Sequence, residues 1–145
     1  MRLVVQRVAQ ASVSVDGTVH GRCEHGLLVL LGIAAKDAEA DAVRLAGRVA
    51  RLRVFENEDG RFDRSLVDID GSALVVSQFT LIADTTKGNR PSFAAAAPPK
   101  VAEALYALFC KALAAEGVAV ETGVFGARMV VALVNDGPVT ILLES

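Results

Sequence analysis

Gly26-Leu27-Leu28-Val29-Leu30-Leu31-Gly32-Ile33 carries no polar side chain. The run is far too short to cross a bilayer, which takes about 20 apolar residues. It has no polar break at helical spacing, so it reads as a central strand covered on both faces. Such a strand needs neighbours at its edges and layers above and below, and the flanking sequence offers both. Upstream, Leu3, Val5 and Val8 alternate loosely with Arg2, Gln6 and Arg7, and Ala11-Ser12-Val13-Ser14-Val15 alternates strictly. Asp16-Gly17 is a two-residue hairpin turn, where glycine tolerates positive φ, and Thr18 to Cys23 forms the return strand. Downstream, Asp37 to Leu52 changes to helical period: Asp37, Asp41, Arg44, Arg48 and Arg51 share one face, with Ala42, Leu45, Val49 and Leu52 on the other. Acids lead and bases trail, as the helix dipole favours.

The rest of the chain continues this alternation of types. Arg53 to Glu56 reads as a short strand and Asn57-Glu58-Asp59-Gly60 as a turn. Ala73 to Val76 is a buried strand that runs into Ser77-Gln78-Phe79-Thr80-Leu81. Asp84 to Phe93 lacks an apolar pattern and reads as a loop. Pro98-Pro99 opens a second helix, where a missing N–H costs nothing, and Gly117 ends it after about Glu116. Its stripe of Val101, Leu105, Leu108 and Ala112, flanked by Ala104, Phe109 and Leu113, predicts deep packing. Val118–Glu121, Met129–Val134 and Val139–Leu143 are closing strands, the last two separated by Asn135-Asp136-Gly137-Pro138. Hairpin strands interrupted by two helices predict an α+β fold: a mainly antiparallel sheet or open barrel-like core with two helices packed on it.

A length of 145 residues fits one domain, residues 1–145, without repeats or linkers. The composition is 52% hydrophobic and 5% aromatic, with no Trp. That predicts a core of small and branched side chains and a surplus of apolar surface that an oligomer interface would cover. Two cysteines do not make a disulfide framework, and neither a signal peptide nor a spanning run is evident. A reducing cytoplasm is expected. The net charge of −2 argues against broad binding along a phosphate backbone, though it permits gripping one end of an RNA.

Several groups are candidates for chemistry. His20, Cys23 and His25 offer imidazoles and a thiol at close spacing, but no second cluster completes a zinc site; a hairpin edge that carries three polar residues is the favoured reading. Cys110 lies inside the apolar second helix with no histidine near it in sequence, so it reads as a small hydrophobe. Gly123-Val124-Phe125-Gly126 is a turn, and no phosphate-binding glycine motif occurs. Ser77, Gln78 and Thr80 place two hydroxyls and an amide at the end of a buried strand, where they could line a polar pocket, hold an oxyanion, or satisfy strand-end backbone groups. Asn135 to Pro138 reads by itself as a tight turn.

Taken together, Ser77-Gln78-Phe79-Thr80-Leu81 and Asn135-Asp136-Gly137-Pro138-Val139-Thr140 resemble the two signatures of D-aminoacyl-tRNA deacylases. The opening Met1 to Val8 and the loop Lys87-Gly88-Asn89-Arg90-Pro91-Ser92-Phe93 resemble the same family, in the same order, over essentially the whole chain. The resemblance implies a hydrolase acting in translation quality control, which removes D-amino acids, and glycine mischarged on tRNA, from the acceptor end. It implies a homodimer with its active sites at the subunit interface, no cofactor or metal, and no membrane or DNA partner. Gly137-Pro138 would be cis and reach into the partner's pocket, with Arg7 helping to hold it. Ser77, Gln78, Phe79 and Thr80 would face it as the catalytic segment, and Phe125 and Met129 would add to an adenosine-binding wall. Lys87, Arg90 and Lys100 are candidates for phosphate contacts, although each also reads as an ordinary solvated cation.

An aminoacyl ester is already activated, so its hydrolysis needs positioning, a water and oxyanion stabilisation more than a strong nucleophile. Two routes are consistent with this: attack by the Thr80 hydroxyl, or attack by water assisted by the ribose 2′-hydroxyl. A lone threonine without a base is a poor nucleophile. The second route is therefore favoured, with the Phe79 and Thr80 amides as oxyanion donors. Main-chain carbonyls of a rigid Gly-Pro unit would exclude an L side chain sterically, while glycine passes. Competing readings are a binding module without turnover, a structural dimer locked by the Gly-Pro turn, and a zinc hydrolase using His20, Cys23 and His25.

Overall fold

A computed structural model describes residues 1–145. Arg2 to Val15 form one long strand, β1, where the sequence pattern implied two. Its first half pairs antiparallel with β3 (Gly26–Gly32), and its second half with β2 (Thr18–Cys23). Its other edge pairs with β8 (Val130–Glu144), also a single strand where two were expected. The Asn135–Pro138 turn is a bulge within that strand. Thr140 lies opposite Gln6 and Asn135 opposite Val8, so Asp136 to Val139 loop out against Arg7 alone. Proline has no N–H to donate to a ladder, which is why the pairing breaks there.

β6 (Ser72–Ser77) and β7 (Ala119–Thr122) join the sheet parallel, in the order β3-β6-β7. The sheet is therefore mixed, mainly antiparallel around β1 with a parallel wing at β3-β6-β7. Parallel neighbours need long crossovers, and the two helices lie in them: α1 (Glu39–Ala50) between β3 and β6, α2 (Pro99–Ala115) between β6 and β7. A small hairpin, β4 (Phe55–Glu56) with β5 (Phe62–Arg64), shares the first crossover, and β5 is a strand that the sequence pattern did not reveal. β7 comes back beside β2, where the Arg22 amide donates to Glu121 Oε2 at 2.8 Å. A Cβ at Gly21 would stand 2.5 Å from the Thr122 carbonyl oxygen, so only glycine lets the sheet come this near to closing into a barrel.

The run at 26–33 is covered on both sides, as its composition predicts. Leu27, Val29 and Leu31 face a large core shared with Leu45 and Val49 of α1 and Phe109 and Leu113 of α2. Leu28 faces the barrel interior with Val8, Val13, Leu74 and Val76. α1 starts two residues later than its pattern suggested, because the Asp37 carboxylate is engaged elsewhere. It accepts the Ala34 amide at 2.6 Å and pairs with the Met1 ammonium, which also donates to Ser145 Oγ at 2.6 Å. α2 ends at Ala115 with Glu116 as its C-cap, and Gly117 follows at φ +91°, the left-handed position that commonly terminates a helix.

Candidate active site

β6 ends at Ser77, opposite Leu31, and the Gln78 amide makes the last bond to β3, donating to the Leu31 carbonyl at 2.9 Å. The chain then turns into a single 3-10 turn over Phe79–Ile82, not the continued strand the sequence implied. Gly32 makes room for that turn, since a Cβ there would lie 2.9 Å from both the Gln78 carbonyl oxygen and Leu81 Cβ. The first N–H groups of such a turn have no acceptor inside it. The Phe79 and Thr80 amides are therefore donors of the kind an oxyanion needs.

Beside this turn lies an open cleft of about 670 Å³. Ser77, Gln78 and Phe79 form one side, Phe93, Pro98 and Pro99 another, and Phe125 and Met129 a third. Its volume is that of an ordinary small-molecule site. No side chain lining it carries a charge or titrates near neutral pH. Phe79, more than half exposed, meets Phe93 edge-on with centroids 5.0 Å apart. Phe125 is backed by Tyr106 at 5.9 Å, and the Tyr106 hydroxyl donates to the buried Val75 carbonyl at 2.7 Å. Burial pushes the Tyr106 hydroxyl well above its ordinary range, so it acts as a fixed donor. Thr80 is exposed and stands just outside the lining, its hydroxyl accepting a hydrogen bond from the Gln78 side-chain amide.

Arg7, Gly137 and Pro138 lie elsewhere in the chain and do not line this cleft. The Gly137–Pro138 peptide bond is cis, and Gly137 has φ +128°. Arg7 is 6% exposed and its guanidinium spans the bulge. Nε donates to the Asp136 carbonyl oxygen at 3.2 Å and lies 3.2 Å from Asp136 Oδ2. Asn135 ties the ends of the bulge together, its Nδ2 donating to the carbonyls of Arg7 (2.9 Å) and Val139 (3.1 Å). Sequence reasoning did not single out Asn135's bridging role, or Phe93, Pro98 and Pro99 as walls. The prolines were legible only as a helix start.

Lys87, Arg90 and Lys100 are exposed and take part in no ion pair. The first two sit on the loop closed by the paired backbone bonds of Asp84 and Ser92, near Phe93; Lys100 follows Pro99 at the start of α2. Backbone and side-chain hydrogen bonds from Thr86 hold the Asp84 carboxyl below its ordinary range. The His20–His25 cluster is dispersed: His25 packs edge-on against Phe55 at 5.3 Å, and Cys23 is buried with its thiol pushed up by desolvation. No three His, Cys, Asp or Glu side chains converge on a point. Burial also raises Cys110 to about 11.

Two signature segments, each built into its own structural device, define a member of a single family of small hydrolases. Residues 4–144 match the D-Tyr-tRNA(Tyr) deacylase family, and the chain belongs to it. It is 60% identical over 144 residues to the D-aminoacyl-tRNA deacylase of Dinoroseobacter shibae, with 99% of each chain covered. Among solved structures it is similar to one titled c-Myc DNA Unwinding Element Binding Protein, at 42% identity and TM-score 0.93, covering 100% of this chain and 99% of that one. A probable eukaryotic D-amino acid tRNA deacylase shares the fold at 20% identity and TM-score 0.86, covering 98% and 97% of the two chains.

Proposed function

We propose that this chain hydrolyses the ester joining a D-amino acid to the terminal adenosine of tRNA, releasing free amino acid and tRNA. Family membership along almost the full length supports the activity. The observation that carries the mechanism is the uncharged lining of the cleft. With no side-chain base at hand, the protein's part is to hold the ester and stabilise the oxyanion. The adenosine enters between Phe79, Phe125 and Met129. Water adds to the carbonyl carbon, and the oxyanion is received by the Phe79 and Thr80 amides. The bond to the ribose 3′-oxygen then breaks, with a proton relayed to that oxygen through the neighbouring 2′-hydroxyl. The Thr80 hydroxyl is bonded to the Gln78 side-chain amide and not to a carboxylate or imidazole, which makes it a poor nucleophile. The ester's own activation leaves no step that needs a cofactor.

Chiral selection falls to Gly137 and Pro138 of a second copy of the chain, which places both segments in one site. Their separation within one chain supports this arrangement, as does the exposed apolar surface of β8, where Val130 and Leu142 are each 68% exposed. The bulge leaves no space where an L side chain would point, so D-aminoacyl esters and glycine mischarged on tRNA pass. Lys87, Arg90 and Lys100 grip phosphates of the acceptor end. The single domain 1–145 works in the cytoplasm, where its substrate is made, and no helix is long and apolar enough to cross a membrane.

The test is release of amino acid from matched D- and L-tyrosyl-tRNA, with glycyl-tRNA(Ala) alongside and with or without chelator. Loss of the D- and glycyl esters alone, indifferent to chelator, is expected. Equal loss of the L-ester would remove the chiral assignment, and no loss of any ester would leave a binding module.

A further inference from the structure

Three features of Arg7 go beyond its bond to Asp136. Its Nη1 donates to the Val54 carbonyl at 2.7 Å, and its Nη2 lies 3.4 Å from Glu56 Oε1. The ring of Phe62 lies 5.5 Å from the guanidinium carbon. Glu56 and Phe62 are direct cross-strand partners in the β4–β5 hairpin, so one small element presents a carboxylate and an aromatic ring to the same cation. The hairpin is itself stiffened at its loop, where Asn57 Oδ1 accepts the amides of Asp59 (3.0 Å) and Arg61 (3.1 Å). The same Nη2 would stand 3.3 Å from a Cβ at Gly137, which puts the guanidinium in contact with the bulge. A guanidinium is planar and its donors are fixed in a fork, so holding one side of it orients the other.

We infer that Glu56 and Phe62 are positioning residues for chiral selection: the β4–β5 hairpin holds Arg7, and Arg7 in turn sets Asp136 and Gly137. This rests on the reading of Gly137-Pro138 as the selective element. Neither residue lines the cleft, so neither touches the adenosine or the reacting ester within its own chain. Both are about half exposed, Phe62 at 53% and the Glu56 side chain at 50%, so their replacement leaves the core intact.

The test compares the ratio of kcat/KM for D- over L-tyrosyl-tRNA in the wild type, Phe62→Leu, Phe62→Tyr, Glu56→Gln and Arg7→Lys. Phe62→Leu keeps apolar bulk but loses the ring, whereas Phe62→Tyr keeps the ring. The ratio is expected to fall about tenfold in Phe62→Leu, the scale of one partly buried cation–π contact. It should fall by about threefold in Glu56→Gln, where a hydrogen bond survives without the charge, and hold in Phe62→Tyr. Thermal unfolding should stay close to wild type in all three, which separates positioning from stability. A ratio unchanged in Phe62→Leu and Glu56→Gln while Arg7→Lys loses it overturns the hairpin's role and leaves the proposed function standing. A ratio unchanged even in Arg7→Lys removes the guanidinium's hold on the bulge from chiral selection, and the hairpin's role with it.

Discussion

The Arg7 corner and the Ser77–Ile82 turn are built in opposite ways. The corner is tied by contacts that join residues far apart in sequence: Arg7 to Val54, Glu56 and Asp136, and Asn135 back to Arg7. The turn has fewer ties, a backbone bond from Gln78 to β3 and one from Arg2 Nη1 to the Leu81 carbonyl at 2.7 Å, and it leaves Phe79 and Thr80 exposed. A selective element has to be rigid, because its work is exclusion. A segment that receives an ester has to keep donors free, and an exposed turn does so. The difference implies that changes to Arg7 and the bulge it holds act on selectivity and stability together, changes at the half-exposed Glu56 and Phe62 on selectivity alone, and changes in the turn mainly on rate.

Gly137→Ala breaks this comparison most sharply. A Cβ there meets Val139 Cγ2 at 2.7 Å and the Val139 amide nitrogen at 2.9 Å, on a backbone at φ +128° that L residues rarely adopt. Strain of about 1–3 kcal/mol should shift the bulge and cut D-over-L discrimination by up to about a hundredfold, measured with paired tyrosyl-tRNA substrates. Full discrimination in this variant would count against the exclusion account. Arg7→Ala should cost about 2 kcal/mol in urea unfolding, since it leaves the buried Val54 carbonyl and the Asp136 carbonyl without their donor. An unfolding midpoint equal to wild type would show that the corner is not a structural tie.

On the turn, Phe79→Ala removes the edge contact to Phe93 and one wall of the cleft. It should lower kcat/KM for D-tyrosyl-tRNA about tenfold with little change in the D/L ratio or in stability. Thr80→Ala keeps the backbone amide and should lose less than about threefold in rate, the scale of one hydrogen bond to an exposed group. Loss of all activity, or an acyl adduct trapped on Thr80 in the wild type, would instead make its hydroxyl the nucleophile. The smallest effect is expected at Cys110. With its thiol raised to about 11, only about one part in a thousand is thiolate at pH 8, so the folded chain should resist alkylation there. Because the shift is upward, reactivity should appear only as pH approaches that value.

These expectations differ in how far the sequence alone supports them. The central strand at 26–33, both helices and the Asp16-Gly17 hairpin are legible because local periodicity and turn chemistry decide them. The mixed pairing is not, since the direction of β6 and β7 follows from the path of the crossovers and not from their own residues. The bulge at Asp136–Val139 hides as a plain turn, and only its register against β1 shows that Arg7 stands opposite it. Ser77 to Thr80 were readable as a polar strand end, but the 3-10 turn that frees their amides depends on Gly32, more than forty residues earlier. The partners of Arg7 on the hairpin left no signal, because Phe62 lies in a strand of three residues with no periodicity to detect.

The claim that binds both regions into one site is that each active site takes its turn from one copy of the chain and its bulge from another. Mixing two variants tests it most directly: Gly137→Val, faulty in the bulge, and a Ser77→Ala/Phe79→Ala double variant, faulty in the turn. Each is first shown to be folded and to keep no more than about a tenth of wild-type selective D-tyrosyl-tRNA hydrolysis. After co-refolding at equal amounts, mixed pairs hold one site with both faults and one with neither. About a quarter of wild-type selective activity should then return, given random pairing in a two-fold dimer. Activity that stays at the level of the separate variants, in a sample proven to contain mixed pairs, would contradict the shared site and place the bulge and the turn in different functions.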